Sequence, residues 1–129
     1  MNRFAELLDR LAYEPGRNAK LRLITEYLRA TPDPERGWAL AALTGALSFK
    51  HAKAGMIRGL IAERTDPALF APSYDYVGDL SETVALMWPA DPTQKSRSAP
   101  TLSEVVQTLS TLGKAQLPAQ IARWLDGLD

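Results

Sequence analysis

Along this chain the apolar side chains recur at intervals of three and four residues, and no segment alternates with a period of two. That pattern allows helices with one buried face and gives a sheet nothing to build on. Over 2–13, Phe4, Leu7, Leu8 and Leu11 fall at i, i+3, i+4 and i+7, with Arg3, Glu6, Asp9 and Arg10 elsewhere around the helix. Glu14-Pro15-Gly16 breaks this run, and a second helix over 17–30 is carried by Leu21, Ile24, Tyr27 and Leu28. Asp33, as an N-cap with Pro34 at the first helical position, predicts a third helix over 34–46. Its Trp38, Leu40, Ala41, Ala42 and Leu43 make it apolar almost all round, which places it at the centre of the bundle. Gly45 predicts a close helix crossing or an early end to that helix.

The same punctuation continues to the C-terminus. A basic turn, Ser48-Phe49-Lys50-His51-Ala52-Lys53-Ala54-Gly55, leads into a helix over 56–62. Asp66-Pro67 is a second aspartate cap with proline behind it, opening a helix to Val77 in which Pro72 predicts a kink. Gly78 then turns the chain, and Asp79 with Glu82 forms a capping box whose helix places Leu80, Thr83, Val84 and Met87 on one face until Pro89 stops it. The polar, proline-marked stretch 89–100 reads as a long exposed loop. Thr101 and Glu104 form another capping box before Leu102, Val105, Val106 and Leu109; Gly113 closes that helix. Pro118 opens the last one, with Ile121, Trp124, Leu125 and Leu128. The expected fold is all-α: an irregular single-domain bundle of about seven short helices over 1–129, with the aromatics on apolar faces as core.

Composition narrows the functional classes. No cysteine is present, so disulfides and thiolate metal sites are excluded, which fits a reducing compartment. No apolar run is long enough to span a bilayer and the first residues lack a signal-peptide core, so the expected location is cytoplasmic, with no membrane partner. The net charge is zero, but residues 1–64 hold eleven Lys/Arg against seven Asp/Glu while 65–129 hold four against eight. Between Arg36 and Ala62 there is no acid, whereas Lys50, Lys53 and Arg58 lie there with His51 among them. This asymmetry predicts a positive patch on an otherwise neutral body.

Self-contained chemistry is not written in the sequence. A Walker-type glycine loop, an H-E-x-x-H motif and a G-x-S-x-G elbow are all missing. His51 has no partner at a triad or zinc spacing, which leaves it solvated or facing phosphate. Asp75, Asp79 and Glu82 would cluster on an unbroken helix, but Gly78 interrupts it and capping accounts for Asp79 and Glu82. No catalytic residue and no metal ligand is assigned. A helix start behind a glycine, as at Gly78-Asp79, is also a natural phosphate site, because its N–H groups point outward.

The run Val77-Gly78-Asp79-Leu80-Ser81-Glu82-Thr83-Val84-Ala85 resembles the "GDLGE-x-A" signature of the N-terminal DNA-binding domain of ATP-dependent DNA ligases, with Ser81 where many relatives have a second glycine. Leu43-Thr44-Gly45-Ala46-Leu47 looks like the helix before that family's basic turn, and Lys95-Ser96-Arg97 with Leu102-Ser103-Glu104-Val105 like its exposed loop and next helix. Leu109-Ser110-Thr111-Leu112-Gly113-Lys114 and Ile121-Ala122-Arg123-Trp124-Leu125 sit where the family continues toward its catalytic core. The opening Phe4-Ala5-Glu6-Leu7-Leu8-Asp9-Arg10-Leu11 is like the bacterial ligases of this class, so the resemblance covers essentially the whole chain.

What the resemblance implies is a helical domain that lies across nicked duplex DNA and helps the catalytic and OB-fold domains of a larger ligase encircle the nick. The parent would use ATP and Mg²⁺ to adenylate a lysine in a K-x-D-G motif. None of the five lysines here is followed by x-Asp-Gly, so this piece is expected to be inactive alone and to need no cofactor. Its expected partners are the nicked duplex and the remaining ligase domains, with the piece itself a monomer. Phosphate contacts come from Lys/Arg side chains and helix N-termini. The candidates are Lys50, His51, Lys53 and Arg58 at one turn, Gly78 and Asp79 at a second, and Lys95, Arg97 and Lys114 at a third. Asp79 is assigned to present N–H groups as a cap. The competing expectation is a helical protein–protein adaptor without DNA contact, which zero net charge and an exposed 90–100 loop would suit.

Overall fold

The computed structural model describes residues 1–89, 93 and 99–127. Among these the chain is all helical: α1 (Asn2–Tyr13), α2 (Arg17–Ala30), α3 (Glu35–Leu43), α4 (Ala54–Ala62), α5 (Pro67–Val77), α6 (Leu80–Met87), α7 (Leu102–Thr111) and α8 (Leu117–Asp126). No helix of the described residues is long and apolar enough to cross a membrane. The fold divides into two compact units, Met1–Ser48 with Ala99–Thr108 and Phe49–Ser98 with Leu109–Asp129.

In the first unit α1 packs on α2. Of the residues the spacing places on the buried faces, Phe4 and Leu7 are buried but Leu8 of α1 and Leu21 of α2 are exposed, and the Phe4 ring meets Tyr27 at 5.9 Å and a 51° tilt. Polar bonds link distant parts of the sequence here. The Met1 amine donates to the Pro100 carbonyl at 3.0 Å, and the Ser103 N–H donates to the Glu35 carboxylate at 3.0 Å. Thr101 and Glu104 close the predicted box from both sides: each backbone N–H donates to the other's side-chain oxygen, at 3.0 and 3.1 Å.

Helix α3 departs from expectation. Only Ala39 is buried along it, and Leu40 is 48% exposed. Its apolar appearance comes largely from alanines, which favour helix wherever they lie and give up little when left in water. Asp33 makes no cap. The helix starts one residue later, behind Pro34, where the Pro32 and Pro34 carbonyls accept the Arg36 and Trp38 N–H groups at 3.1 and 3.2 Å. The early end predicted from Gly45 is found: Gly45 has φ +73°, Ala46 N–H donates to Ala41 and Gly45 N–H to Ala42, the pair of bonds that closes a Schellman motif. Nothing approaches the space a Gly45 Cβ would occupy, so the glycine serves the turn and not a close crossing.

The second unit holds a core cluster of Leu60 and Ile61 of α4, Val84 of α6, Trp88, and Ile121 and Ala122 of α8. Met56, Ile57, Phe70, Leu80, Met87 and Leu109 pack against it. Each fully buried aliphatic side chain of this kind contributes about 1.5–3 kcal/mol relative to exposure. Asp66 caps α5 through the Ala68 N–H at 2.9 Å, and the helix runs on across Pro72 to Val77. Arg64 lies over the Trp88 ring at 4.6 Å, and the Trp88 indole N–H donates to Asp126 at 2.9 Å.

Candidate nucleic-acid interface

The residues singled out in the sequence fall into three places. Gly78 ends α5 with φ +78°, its N–H donating to the Tyr74 carbonyl at 2.8 Å, a left-handed stop that a side chain would strain. Asp79 then caps α6, accepting from the Glu82 N–H at 2.8 Å. Of the predicted Asp79–Glu82 box only the Asp79 half forms, and Asp75, Asp79 and Glu82 around the corner are all exposed. Lys114 is exposed in the turn between α7 and α8. Lys95 and Arg97 lie outside the described residues.

The third place is the start of α4. Lys50 and Lys53 are exposed, His51 is half-buried, and Lys53 occupies the N-cap position. No side chain caps this helix and no acid lies in its first turn. Met56 and Ile57 N–H groups return to the Lys53 carbonyl, at 3.0 and 3.4 Å, whereas the N–H groups of Ala54 and Gly55 take no partner among the described residues. Aspartate or a capping box meets this need at α5, α6 and α7, whereas α1, α2, α3 and α8 start without a side-chain cap as α4 does; α4 differs from them in the lysines at its start.

A lysine at a helix N-terminus sets positive charge against the positive end of the dipole, an arrangement that an anion in the gap would relieve. Arg58, further along α4, is exposed with its guanidinium 5.7 Å from the Tyr74 ring centroid. Among the described residues the one ion pair is Arg64 with Glu63, at 3.5 Å, so Lys50, Lys53 and Arg58 carry unneutralised charge.

Tyr74 ties two of the three places together. Its ring carries Arg58 and its carbonyl holds Gly78, so the basic turn and the glycine corner share one residue of α5. Phe70 stacks on the same ring at 6.1 Å, with planes 5° apart, and joins it to the core. Sequence reasoning does not single out Tyr74; its spacing of four from both Phe70 and Gly78 is the signal that the letters hold.

Two aromatics expected in the core are on the surface instead, Tyr13 and Tyr76, the latter 93% exposed. Among the described residues no group of three His, Asp or Glu side chains could hold a metal ion. Comparison with protein-family models, with curated proteins and with solved structures finds no match for this chain.

Proposed function

We propose that this chain is a DNA-binding module of an ATP-dependent DNA ligase. It would grip duplex DNA at a nick without reading bases, so that domains elsewhere in the parent protein, supplied with ATP and Mg²⁺, can seal the break. Such a module would act with those domains in the cytoplasm. The observation that supports this reading is the start of α4, an uncapped helix N-terminus with Lys50, Lys53 and Arg58 exposed and unpaired around it. Unpaired N–H groups beside free cations suit phosphate oxygens, and phosphate contacts fix a protein on a duplex whatever its sequence. The acid-free stretch between Arg36 and Ala62 keeps that field from being cancelled locally. Gly78 ends α5 on the carbonyl of Tyr74, whose ring carries Arg58, and Asp79 caps α6 behind it; Lys114, Lys95 and Arg97 would be further phosphate contacts.

The test is fluorescence anisotropy with a labelled nicked duplex at several salt concentrations. Binding by the lone chain is expected on the order of 10⁻⁴–10⁻⁶ M at physiological salt, as for non-specific complexes. Replacing Lys50, Lys53 and Arg58 with alanine should weaken binding equally across sequences and lower the salt slope by about 0.9 for each phosphate left without its cation. Equal affinities and equal slopes for the two proteins would remove the start of α4 from the interface. Salt-independent binding, or none, would favour the adaptor.

A further inference from the structure

On the side of α5 away from Arg58 the structure presents a different surface. Leu69, Pro72, Ser73 and Tyr76 fall at i, i+3, i+4 and i+7 along α5, and Thr83, Leu86 and Met87 at i, i+3 and i+4 on α6. Between Pro72, Ser73 and Tyr76 on one side and Thr83, Leu86 and Met87 on the other lies an open, largely apolar groove of about 380 Å³. Tyr76 is 93%, Leu86 71% and Leu69 63% exposed. Singly exposed apolar residues are ordinary, but Tyr76 and Leu86 lining one groove between two paired helices, with Leu69 one turn back on the same stripe of α5, mark a docking surface.

The charges carried by α5, α6 and the corner between them have one sign. Asp75, Asp79 and Glu82 are exposed, Asp75 three residues after Pro72 and Asp79 and Glu82 four residues before Thr83 and Leu86, and the sequence from 65 to 94 contains no lysine or arginine. We infer that the α5–α6 groove receives an amphipathic helix of a partner protein whose apolar stripe is flanked by lysine or arginine. The apolar stripe would lie against Tyr76, Leu86 and Met87, and the basic flanks would meet Asp75, Asp79 and Glu82. An acidic helix, or a nucleic acid, would meet repulsion at the same place. Tyr74 and Tyr76 point about 200° apart around α5, so this surface and the one that carries Arg58 are separate.

The probe is a synthetic amphipathic peptide of leucine and lysine, with a leucine–glutamate peptide of the same register as its counterpart. Each is titrated into the ¹⁵N-labelled chain while amide shifts are followed. The lysine peptide should shift amides along 69–77 and 80–87, and the glutamate peptide should not. Leu86→Gln should weaken binding about tenfold while leaving nicked-duplex anisotropy unchanged, which separates this inference from the DNA reading. Asp75→Lys with Glu82→Lys should invert the preference between the peptides, and this exchange of exposed charges leaves the core alone.

Equal binding of both peptides, or of neither, would overturn the inference, as would shifts centred on the start of α4. Self-association of the unliganded chain that moves the same amides, checked by sedimentation equilibrium, would make the occupant a second copy and overturn it as well.

Discussion

The Arg64 guanidinium lies 4.6 Å over the ring of Trp88, and the edge of that ring donates its N–H to Asp126 at 2.9 Å. One residue thus joins three helices: Arg64 follows α4, Trp88 ends α6 and Asp126 closes α8. Arg64 is held in turn by its donation to the Leu60 carbonyl at 3.1 Å. The charged and the hydrogen-bonded side of the indole are both satisfied, so a residue of this size can be buried at its polar edge without an orphan donor.

Trp88→Ala should therefore be among the most damaging single changes in the second unit, at about 3–5 kcal/mol, the range for emptying an aromatic site in a core. Asp126→Ala should cost about 1–2 kcal/mol, from the missing bond and the indole N–H left without a partner. Urea denaturation of the two single variants and the double variant checks both. In the double variant the Asp126 contribution should vanish, since its partner is already gone.

The corner between α5 and α6 permits a test of backbone against side chain. Gly78→Ala places a Cβ in open space, so any loss comes from φ alone and should be about 1–2 kcal/mol. Asp79→Ala should cost about 1 kcal/mol, as removal of an N-cap does. Gly45→Ala should resemble Gly78→Ala, because its φ of +73° also has free space around it. A loss for either glycine variant several times larger than this, read from urea midpoints, would mean that the turn does more than reverse the chain.

What can be read from the sequence shares one property: it acts within about four residues. The bounds of α1 and α2, the Asp66 and Asp79 caps, the Thr101–Glu104 box and the Gly45 stop all depend on near neighbours, and all are found. Asp33 misleads because the Pro32 carbonyl accepts the Arg36 N–H that a cap would serve, which residue type does not reveal. The placing of α3 and the exposure of Tyr76 are not legible, because an apolar stripe does not say whether a partner helix covers it. Trp88 and Asp126 are 38 residues apart, and nothing local announces their bond. For the candidate interface, the basic run is visible in the letters; its lack of caps and of ion-pair partners is visible only in the fold.

The sharpest prediction uses the one helix start in the second unit's α4–α6 run that lacks a cap. Lys53→Asp puts a short carboxylate where α4 has a lysine, within reach of the unpaired Gly55 N–H two residues on. Stability should rise, by about 1 kcal/mol, because a cap is gained and a charge at odds with the dipole is removed. Binding to nicked duplex should fall at the same time, because the carboxylate takes up the N–H that a phosphate oxygen would use and reverses the charge beside it. Two measurements on one variant are thus expected to move in opposite directions: the urea midpoint upward, the anisotropy affinity downward with a shallower salt slope. Lys53→Ala separates the contributions, since it removes the charge without adding a cap and should weaken binding with little change in stability. If Lys53→Asp raised stability and left the DNA titration untouched, the start of α4 would be an uncapped helix end and no more, and the phosphate contacts would have to be sought at Lys114 and in the 95–97 segment.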